Sequence, residues 1–111
     1  MKKSVNELNS DLFDNEEDKF SDPTYARKKA MDFLARREYG QKELILKLQS
    51  KGFHSDISTI IVEKLTDDGL QDDRRFAESY VRSRIAQGKG PIRIHYELEQ
   101  KKMPSNIIRS V

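Results

Sequence analysis

The chain has 111 residues, with 21 Lys and Arg, 19 Asp and Glu, no Cys and a formal net charge of +2. The absence of Cys excludes disulfide scaffolds, Cys-containing zinc sites and thiol catalysis. No apolar run approaches the roughly 18 residues of a membrane-spanning helix, and no apolar stretch follows the basic start to form a secretory signal. We therefore expect a cytoplasmic protein with one domain, or two very small ones.

Charge is distributed unevenly along the chain. Residues 1–23 contain three Lys and seven acidic residues, a sum of −4, whereas residues 24–111 carry +6. The few large apolar residues of this acidic tail show no sustained period, so they bury too little surface to offset the entropy of ordering. We expect residues 1–23 to be disordered or loosely attached. They could simply aid solubility, or they could fold back on the basic body or compete with an anionic ligand.

Residues 24–69 are predicted to form a first three-helix unit. Pro23 suits the first turn of a helix over about 24–37, and Gly52 suits the end of a helix over about 41–51. Ser55 is expected to cap a third helix, which ends at Asp67–Gly69. The apolar face predicted for this third helix consists of Ile57, Ile60, Ile61 and Leu65.

Residues 70–111 are predicted to form a second unit of the same kind. Asp72 or Asp73 is expected to cap a helix over about 72–87, and the next helix covers about 91–102. Alternating apolar residues in that segment would also suit a strand, but its helix-forming neighbours favour a helix. Pro104 or Ser105 begins a sixth helix. The apolar positions expected on the fourth helix are Phe76, Ala77, Tyr80, Val81 and Ile85.

The two units repeat each other at an offset of 50 residues. The identical pairs are Gly40 and Gly90, Leu48 and Leu98, Lys51 and Lys101, Ser55 and Ser105, and Ile57 and Ile107. This pattern predicts an all-α fold of two tandem three-helix repeats in an elongated, curved arrangement. The last helix of the second unit is short and apolar, so we expect that unit to be truncated or covered by a partner.

Signals for catalysis, metal binding or cofactor binding are weak. His54 and His95 lie 41 residues apart, and surface positions explain them better than a metal or acid–base pair. The Gly88-x-Gly90 segment lacks the third glycine and the flanking strand of a nucleotide-binding loop. The Asp67-Asp68 and Asp72-Asp73 pairs lack calcium-loop spacing and suit helix caps. We expect no catalytic residue, no metal site, no cofactor and no enzymatic activity.

The basic residues predict a binding surface. A spread of Lys and Arg along helices is typical of proteins that attract nucleic acid or an acidic protein groove. No segment groups Asn, Gln and Arg as base-specific reading requires. Lys51 and Lys101 also suit the negative ends of helices. The candidate binding residues are Arg36, Arg37, Lys42, Lys47, Arg82, Arg84, Lys89 and Arg93.

Residues 25–110 resemble the RecX family of regulators of the recombinase RecA. In the first unit the matching motifs are Ala35-Arg36-Arg37-Glu38-Tyr39, Lys42-Glu43-Leu44, Lys47-Leu48 and Lys51-Gly52-Phe53. In the linker and second unit they are Gly69-Leu70, Asp72-Asp73, Phe76-Ala77, Tyr80-Val81-Arg82, Arg84, Gly88, Gly90-Pro91, Arg93-Ile94 and Glu97-Leu98.

The resemblance implies a regulator of homologous recombination and the SOS response. It implies binding in the groove of the RecA–single-stranded DNA filament, which restrains recombinase, ATPase and coprotease activities. Direct contact with single- or double-stranded DNA is also implied. The carried-over candidates are Arg36, Arg37, Arg82, Arg84 and Arg93. Family members usually have three such units, so this chain lacks the third, and Lys102 stands where the family pattern usually has Gly.

Three functions follow as hypotheses. The chain is a monomeric regulator that binds RecA filaments, a basic helical module that coats DNA, or a helical dimerisation and structural module. Binding to the preformed filament, compared with binding to bare DNA, separates the first two.

Overall fold

The computed structural model describes residues 19–111, which form six α-helices and, within that range, no β-strand. Along the longest principal axis it extends 63 Å, against 26 and 20 Å across. The expectation of an all-α, elongated fold is therefore confirmed. The helices are α1 Pro23–Arg36, α2 Gln41–Ser50, α3 Ser55–Asp67, α4 Asp73–Ala86, α5 Pro91–Gln100 and α6 Ser105–Ser110.

Acidic side chains cap the first helix of each repeat. Oδ1 of Asp22 accepts a hydrogen bond of 3.0 Å from the backbone N–H of Thr24, and Oδ1 of Asp72 accepts one of 2.9 Å from that of Arg75. Asp72, and not Asp73, is thus the cap of α4. The predicted Ser55 cap is wrong by one position. His54 has the extended cap backbone, and Ser55 is already the first helical residue.

In the first repeat, α1, α2 and α3 pack around one core, and each helix contributes residues to it. Ile60, predicted on the buried face of α3, is 46% exposed. Ser58 and Val62, on either side of it in sequence, are fully buried instead. The inward face of α3 is therefore rotated from the predicted one. The buried core consists of Ala26, Ala30, Phe33, Tyr39, Leu44, Ile45, Leu48, Phe53, Ile61, Val62 and Leu65.

Phe20 extends this core beyond the predicted boundary. Its ring meets that of Phe53 edge-on, with centroids 5.2 Å apart, and its carbonyl accepts a 3.2 Å hydrogen bond from the N–H of His54. We therefore propose that the first repeat begins at Lys19. Residues 1–18, the rest of the predicted disordered tail, lie outside the described residues.

The second repeat has a smaller core. Ile94 and Leu98, four residues apart on α5, point inward, while Ile92 and Tyr96 are 88% and 59% exposed. The alternating apolar residues of α5 thus lie on two faces of the helix, one buried and one exposed. Ile85, predicted to be buried, is also exposed. The buried core consists of Phe76, Ala77, Ile94, Leu98, Met103 and Ile108.

The offset of 50 residues holds in three dimensions. Gly40 and Gly90 precede α2 and α5 with extended backbone, and Lys51 and Lys101 end those helices. The core leucines at positions 48 and 98 are both fully buried. Equivalent residues therefore have equivalent roles at the starts, ends and centres of the two middle helices.

The turn after α5 contains the single non-glycine residue with positive φ among residues 19–111. Lys102 has φ 62°, and the equivalent Gly52 has φ 106°. At both turns the two residues after the cap donate backwards to the last turn of the helix, as from Phe53 N–H to the Leu48 carbonyl at 3.2 Å. This pattern needs a left-handed residue, which glycine adopts without steric cost.

Changing Lys102 to glycine should therefore stabilise the chain by about 1 kcal/mol, because the left-handed conformation strains residues that have a Cβ atom. Thermal unfolding should show a higher midpoint. The matched control is Lys51→Gly, at a position with φ −92°, where we expect no gain. A midpoint that does not rise for Lys102→Gly would contradict the assigned turn.

Candidate interaction surface

A fully buried glutamine holds the two repeats together. Gln71, in the linker, is 1% exposed. Its Nε2 donates to the Tyr39 carbonyl and to Oδ1 of Asp73, both at 3.0 Å. Its Oε1 accepts from Oγ1 of Thr66 at 2.7 Å. Every polar atom of the side chain is engaged, so the linker fixes the first repeat against the second.

Further contacts cross this inter-repeat interface. Oδ1 of Asp73 accepts a hydrogen bond of 2.7 Å from the N–H of Gln41. Of the predicted capping pair, Asp72 therefore caps α4 and Asp73 binds across the interface. Nε of Arg75 donates to Oε2 of Glu38 at 2.7 Å. A Cβ atom on Gly40 would lie 2.5 Å from Cε of Met103. The repeats therefore pack closely where the linker joins them.

Glu43 bridges the two repeats by ion pairs. Both of its oxygens accept from Arg37, at 3.2 and 3.0 Å, and Oε2 also accepts from Nζ of Lys101 at 3.0 Å. The guanidinium of Arg37 lies 3.7 Å from the ring centroid of Tyr39. Burial acts to raise the pKa of Glu43, but the hydrogen bonds from Arg37 and Lys101 outweigh it, so the pKa lies below its ordinary value.

Glu97 is the centre of another cluster of charged side chains, which lies wholly within the second repeat. Arg84 donates to both of its oxygens, at 2.8 and 2.6 Å, and the hydroxyl of Tyr80 donates at 2.7 Å. Nε of Arg93 adds a bond of 3.0 Å. The hydrogen bonds from Arg84, Tyr80 and Arg93 lower the pKa of Glu97 to about 2. Burial and the bond to Glu97 raise the pKa of Tyr80.

Replacing Glu97 by glutamine should lower the urea midpoint at neutral pH and weaken its dependence on acid. Because the folded-state pKa of about 2 lies below the ordinary 4.5, the carboxylate stabilises the fold fully above about pH 4.5. That contribution is lost as the pH falls towards 2. Urea unfolding between pH 7 and pH 2 tests this, with Glu99→Gln on the exposed face of α5 as control. A Glu97→Gln profile parallel to that of the unchanged chain would contradict the assignment.

The eight candidate basic residues fall into two groups in the structure. Arg37, Arg84 and Arg93 are ion-paired with Glu43 or Glu97, and Lys47 lies over the ring of Phe33 at 5.4 Å. The side chain of Arg84 is 20% exposed and is held by its ion pair with Glu97. Among the described residues the candidates with neither an ion-pair partner nor an aromatic ring contact are Arg36, Lys42, Arg82 and Lys89.

Two grooves border the inter-repeat interface. The first, the basic groove, has a volume of about 230 Å³ and is lined by Lys42, Glu43, Leu46, Gln100, Lys101 and Lys102. The second, the serine groove, has a volume of about 240 Å³ and is lined by Arg37, Glu38, Phe76, Ser79, Tyr80 and Ser83. The Arg37–Glu43–Lys101 bridge connects them. Sequence reasoning treated Lys101 only as a helix-end charge, so it missed this role.

Exposed apolar side chains recur at equivalent positions of the two repeats. Leu46 on α2 is 61% exposed, and Tyr96, fifty residues later on α5, is 59% exposed. Ile92 on α5 is also open to solvent. Sequence reasoning grouped Ile92 and Tyr96 with the apolar residues of α5, and it assigned Leu46 no place. The repeat does indicate the exposed pair Leu46 and Tyr96. Each lies midway between two buried residues four positions apart, Leu44 and Leu48 in α2 or Ile94 and Leu98 in α5.

Other kinds of site find no support in the described part of the chain. Within residues 19–111, no group of three or more His, Asp and Glu side chains could hold a metal ion. His54 and His95 are exposed, as expected of surface histidines. No helix in that range is long and apolar enough to cross a membrane.

Comparison with known proteins identifies both repeats. The model for the first three-helix domain of RecX matches residues 26–65, and the model for the second three-helix domain matches residues 72–111. The Regulatory protein RecX of Halorhodospira halophila is 41% identical over 77% of this chain and 53% of the relative. That of Pseudomonas savastanoi pv. phaseolicola is 40% identical over 71% and 51%.

A solved structure agrees with the fold. The crystal structure of RecX from Lactobacillus salivarius superposes with a TM-score of 0.70 at 32% identity, and the match covers 79% of this chain and 58% of that one. The chain spans about half the length of the curated relatives it matches.

Proposed function

The chain belongs to the RecX family of regulatory proteins, and from this premise we propose that it binds the filament that RecA forms on single-stranded DNA. Binding there would inhibit the recombinase, ATPase and coprotease activities of the filament. It would thereby moderate homologous recombination and the SOS response. On this proposal the chain acts in the cytoplasm, as a monomer, by binding and without catalysis of its own.

The observation that carries the proposal is the recurrence of one surface along an elongated array. Leu46 and Tyr96 are exposed at equivalent positions of two repeats that Gln71 holds at a fixed spacing. A filament also offers its contacts at regular intervals, so a rigid array can meet it at more than one point. The exposed aliphatic side chains Leu46 and Ile92 favour a protein partner, because DNA backbones offer them little to pack against.

Charge supports the same partner. Residues 19–111 contain 19 basic and 13 acidic side chains, a formal charge of +6, and a RecA–DNA filament contains the polyanion DNA. Unpaired cations such as Arg36, Lys42 and Arg82 would steer the encounter and make it sensitive to salt. The paired arginines Arg37, Arg84 and Arg93 would each contribute less, since Glu43 and Glu97 offset part of their charge.

The test compares fluorescence anisotropy of the labelled chain with preformed RecA filament and with bare single-stranded DNA. At about 150 mM salt we expect at least tenfold tighter binding to the filament. Reversal of one unpaired cation, Arg82→Glu, should weaken filament binding roughly three- to tenfold while leaving the helical circular dichroism unchanged. The charge-matched control is Lys64→Glu on α3, an exposed cation outside the set of candidate binding residues, which should change the affinity less than about twofold.

A second candidate function is DNA coating, and the unpaired cations favour it. If the affinity for the filament is no better than that for bare DNA, this function replaces the first. Reversal of Arg84 is unsuitable for either test, because a carboxylate at that position would face Glu97 and disturb the fold.

A further inference from the structure

We propose that the basic groove and the exposed face of α5 beside it form one docking surface for a peptide segment that carries both carboxylates and apolar side chains. The segment would belong to the protein component of the filament, so this inference rests on the proposed function. It adds where on the chain that protein binds and which chemistry is recognised there.

The apolar part of this surface leads along α5 into the groove. Ile92, Tyr96 and Gln100 follow one another at intervals of four residues, so they share one face of the helix. Ile92 and Tyr96 are exposed, and Gln100 lines the groove together with the exposed Leu46 of α2. Exposed apolar side chains that are scattered singly need no partner, but a continuous row of them marks an interaction site.

The groove end of the surface is positively charged. Lys42 and Lys102 are exposed and have no ion-pair partner among residues 19–111. Lys101 shares Glu43 with Arg37. The three lysines and one glutamate that line the groove leave a formal surplus of two positive charges, which favours an anionic ligand.

The side chains beside these charges favour the carboxylates of a peptide over the phosphates of DNA. Leu46 and Ile92 are aliphatic and cannot stack on bases as aromatic side chains do, so a DNA strand would leave them without a partner. The amide of Gln100 both donates and accepts hydrogen bonds, which matches the N–H and C=O groups of a peptide backbone. The phosphates of a DNA backbone only accept them.

The extent of the surface sets the length of the segment. Ile92 and Gln100 lie about 12 Å apart along α5, and the groove adds roughly one helix diameter of about 10 Å. A span of about 20 Å corresponds to roughly six extended residues. Carboxylates at one end of such a segment would contact Lys42 and Lys102, while apolar side chains at the other end pack on Tyr96.

Neutralising the groove lysines tests the charged part of the surface. Lys42→Gln combined with Lys102→Gln should weaken binding to preformed RecA filament about three- to tenfold at about 150 mM salt. The control pair, Lys28→Gln with Lys64→Gln, removes the same charge from exposed positions on α1 and α3 and should change the affinity less than about twofold. Binding to bare single-stranded DNA should fall equally for the two pairs.

Replacing Leu46 by serine tests the apolar part. Filament binding should weaken about tenfold, and the loss should be the same at about 100 and 300 mM salt, because it does not arise from charge. The control is Ile60→Ser on α3, which removes another exposed aliphatic side chain and should leave the affinity within about twofold. Circular dichroism should show unchanged helix content for both variants.

Photocrosslinking identifies what lies on the surface. The chain has no Cys, so Glu99→Cys, exposed next to Gln100, accepts a single diazirine label. On the filament it should crosslink to RecA, at a segment that contains Asp or Glu beside apolar residues, as mass spectrometry of the product would show. The same label at Glu63→Cys on α3, also exposed, should give little crosslinked product.

The outcomes separate this inference from the proposed function. If the unchanged chain does not bind the filament, the proposed function fails and this inference fails with it. If the chain binds the filament but the groove variants bind as tightly as their controls, only the docking surface is overturned. Crosslinking to DNA, or to a RecA segment without acidic residues, likewise overturns the acidic peptide while the proposed function stands.

Discussion

Changing Gln71 to glutamate should destabilise the folded chain by about 3 kcal/mol or more at neutral pH. Gln71 is 1% exposed, and its Nε2 donates to two acceptors, the Tyr39 carbonyl and the Asp73 carboxylate. Glutamate would place a charged oxygen against both acceptors inside the protein. The cost combines a buried charge, two lost hydrogen bonds and repulsion from Asp73.

The size of this effect should depend on pH. Burial and the nearby Asp73 carboxylate would raise the pKa of the introduced carboxyl group in the folded state above its unfolded value of about 4.3. The deficit is therefore largest at neutral pH and shrinks as the pH falls towards 4.3, where the unfolded chain also binds the proton. Urea unfolding followed by circular dichroism at pH 7 and pH 5 measures it.

The matched control for this substitution is Gln71→Met, which keeps the side-chain length without a charge. It leaves the Tyr39 carbonyl without its donor and should cost about 2 kcal/mol at both pH values. A Gln71→Glu deficit that is equal at pH 7 and pH 5 would contradict the buried hydrogen-bond arrangement at the inter-repeat interface.

Truncating Leu98 to alanine should cost about 3 kcal/mol, and the loss should fall mainly on the second repeat. Leu98 is fully buried in a core of six buried residues, so the cavity left by its side chain removes a large share of that core. Native-state hydrogen exchange should show reduced protection in α4, α5 and α6, with α1, α2 and α3 less affected.

Leu48→Ala is the natural control, because it removes the same side chain at the equivalent position of the larger first core. Reduced protection should then appear mainly in α1, α2 and α3. If both variants reduce protection evenly over all six helices, the repeats do not open separately, and the interface, with Gln71 at its centre, makes them one cooperative unit.

Helix limits were the part of the fold most accessible to sequence reasoning. Pro23, Gly52, Gly69 and the Asp72 cap act through their own backbone or the next few residues, so local patterns reveal them. The offset of 50 added the equivalence of Gly40 and Gly90. It also identified Leu48 and Leu98 as paired core residues.

Features that depend on contacts between distant residues were not accessible in the same way. The burial of Gln71 requires Tyr39, 32 residues earlier, and a polar residue in a linker gives no local sign of it. The pairing of Arg84 with Glu97 was not apparent either, because the two residues lie 13 positions apart on different helices. Helical periodicity likewise identified apolar faces but not which neighbour covers them, so the exposure of Ile60 and Ile85 was missed.

The two glycines that begin the middle helices differ in what surrounds them. A Cβ atom at position 40 would collide with Met103, whereas one at position 90 meets no atom within 4 Å among the described residues. Both have negative φ values, so backbone conformation does not separate them. Glycines at equivalent positions of the two repeats thus differ in whether they tolerate a larger side chain. Position 90 can accept a reporter group without disturbing the fold, which offers a way to label one repeat independently of the other.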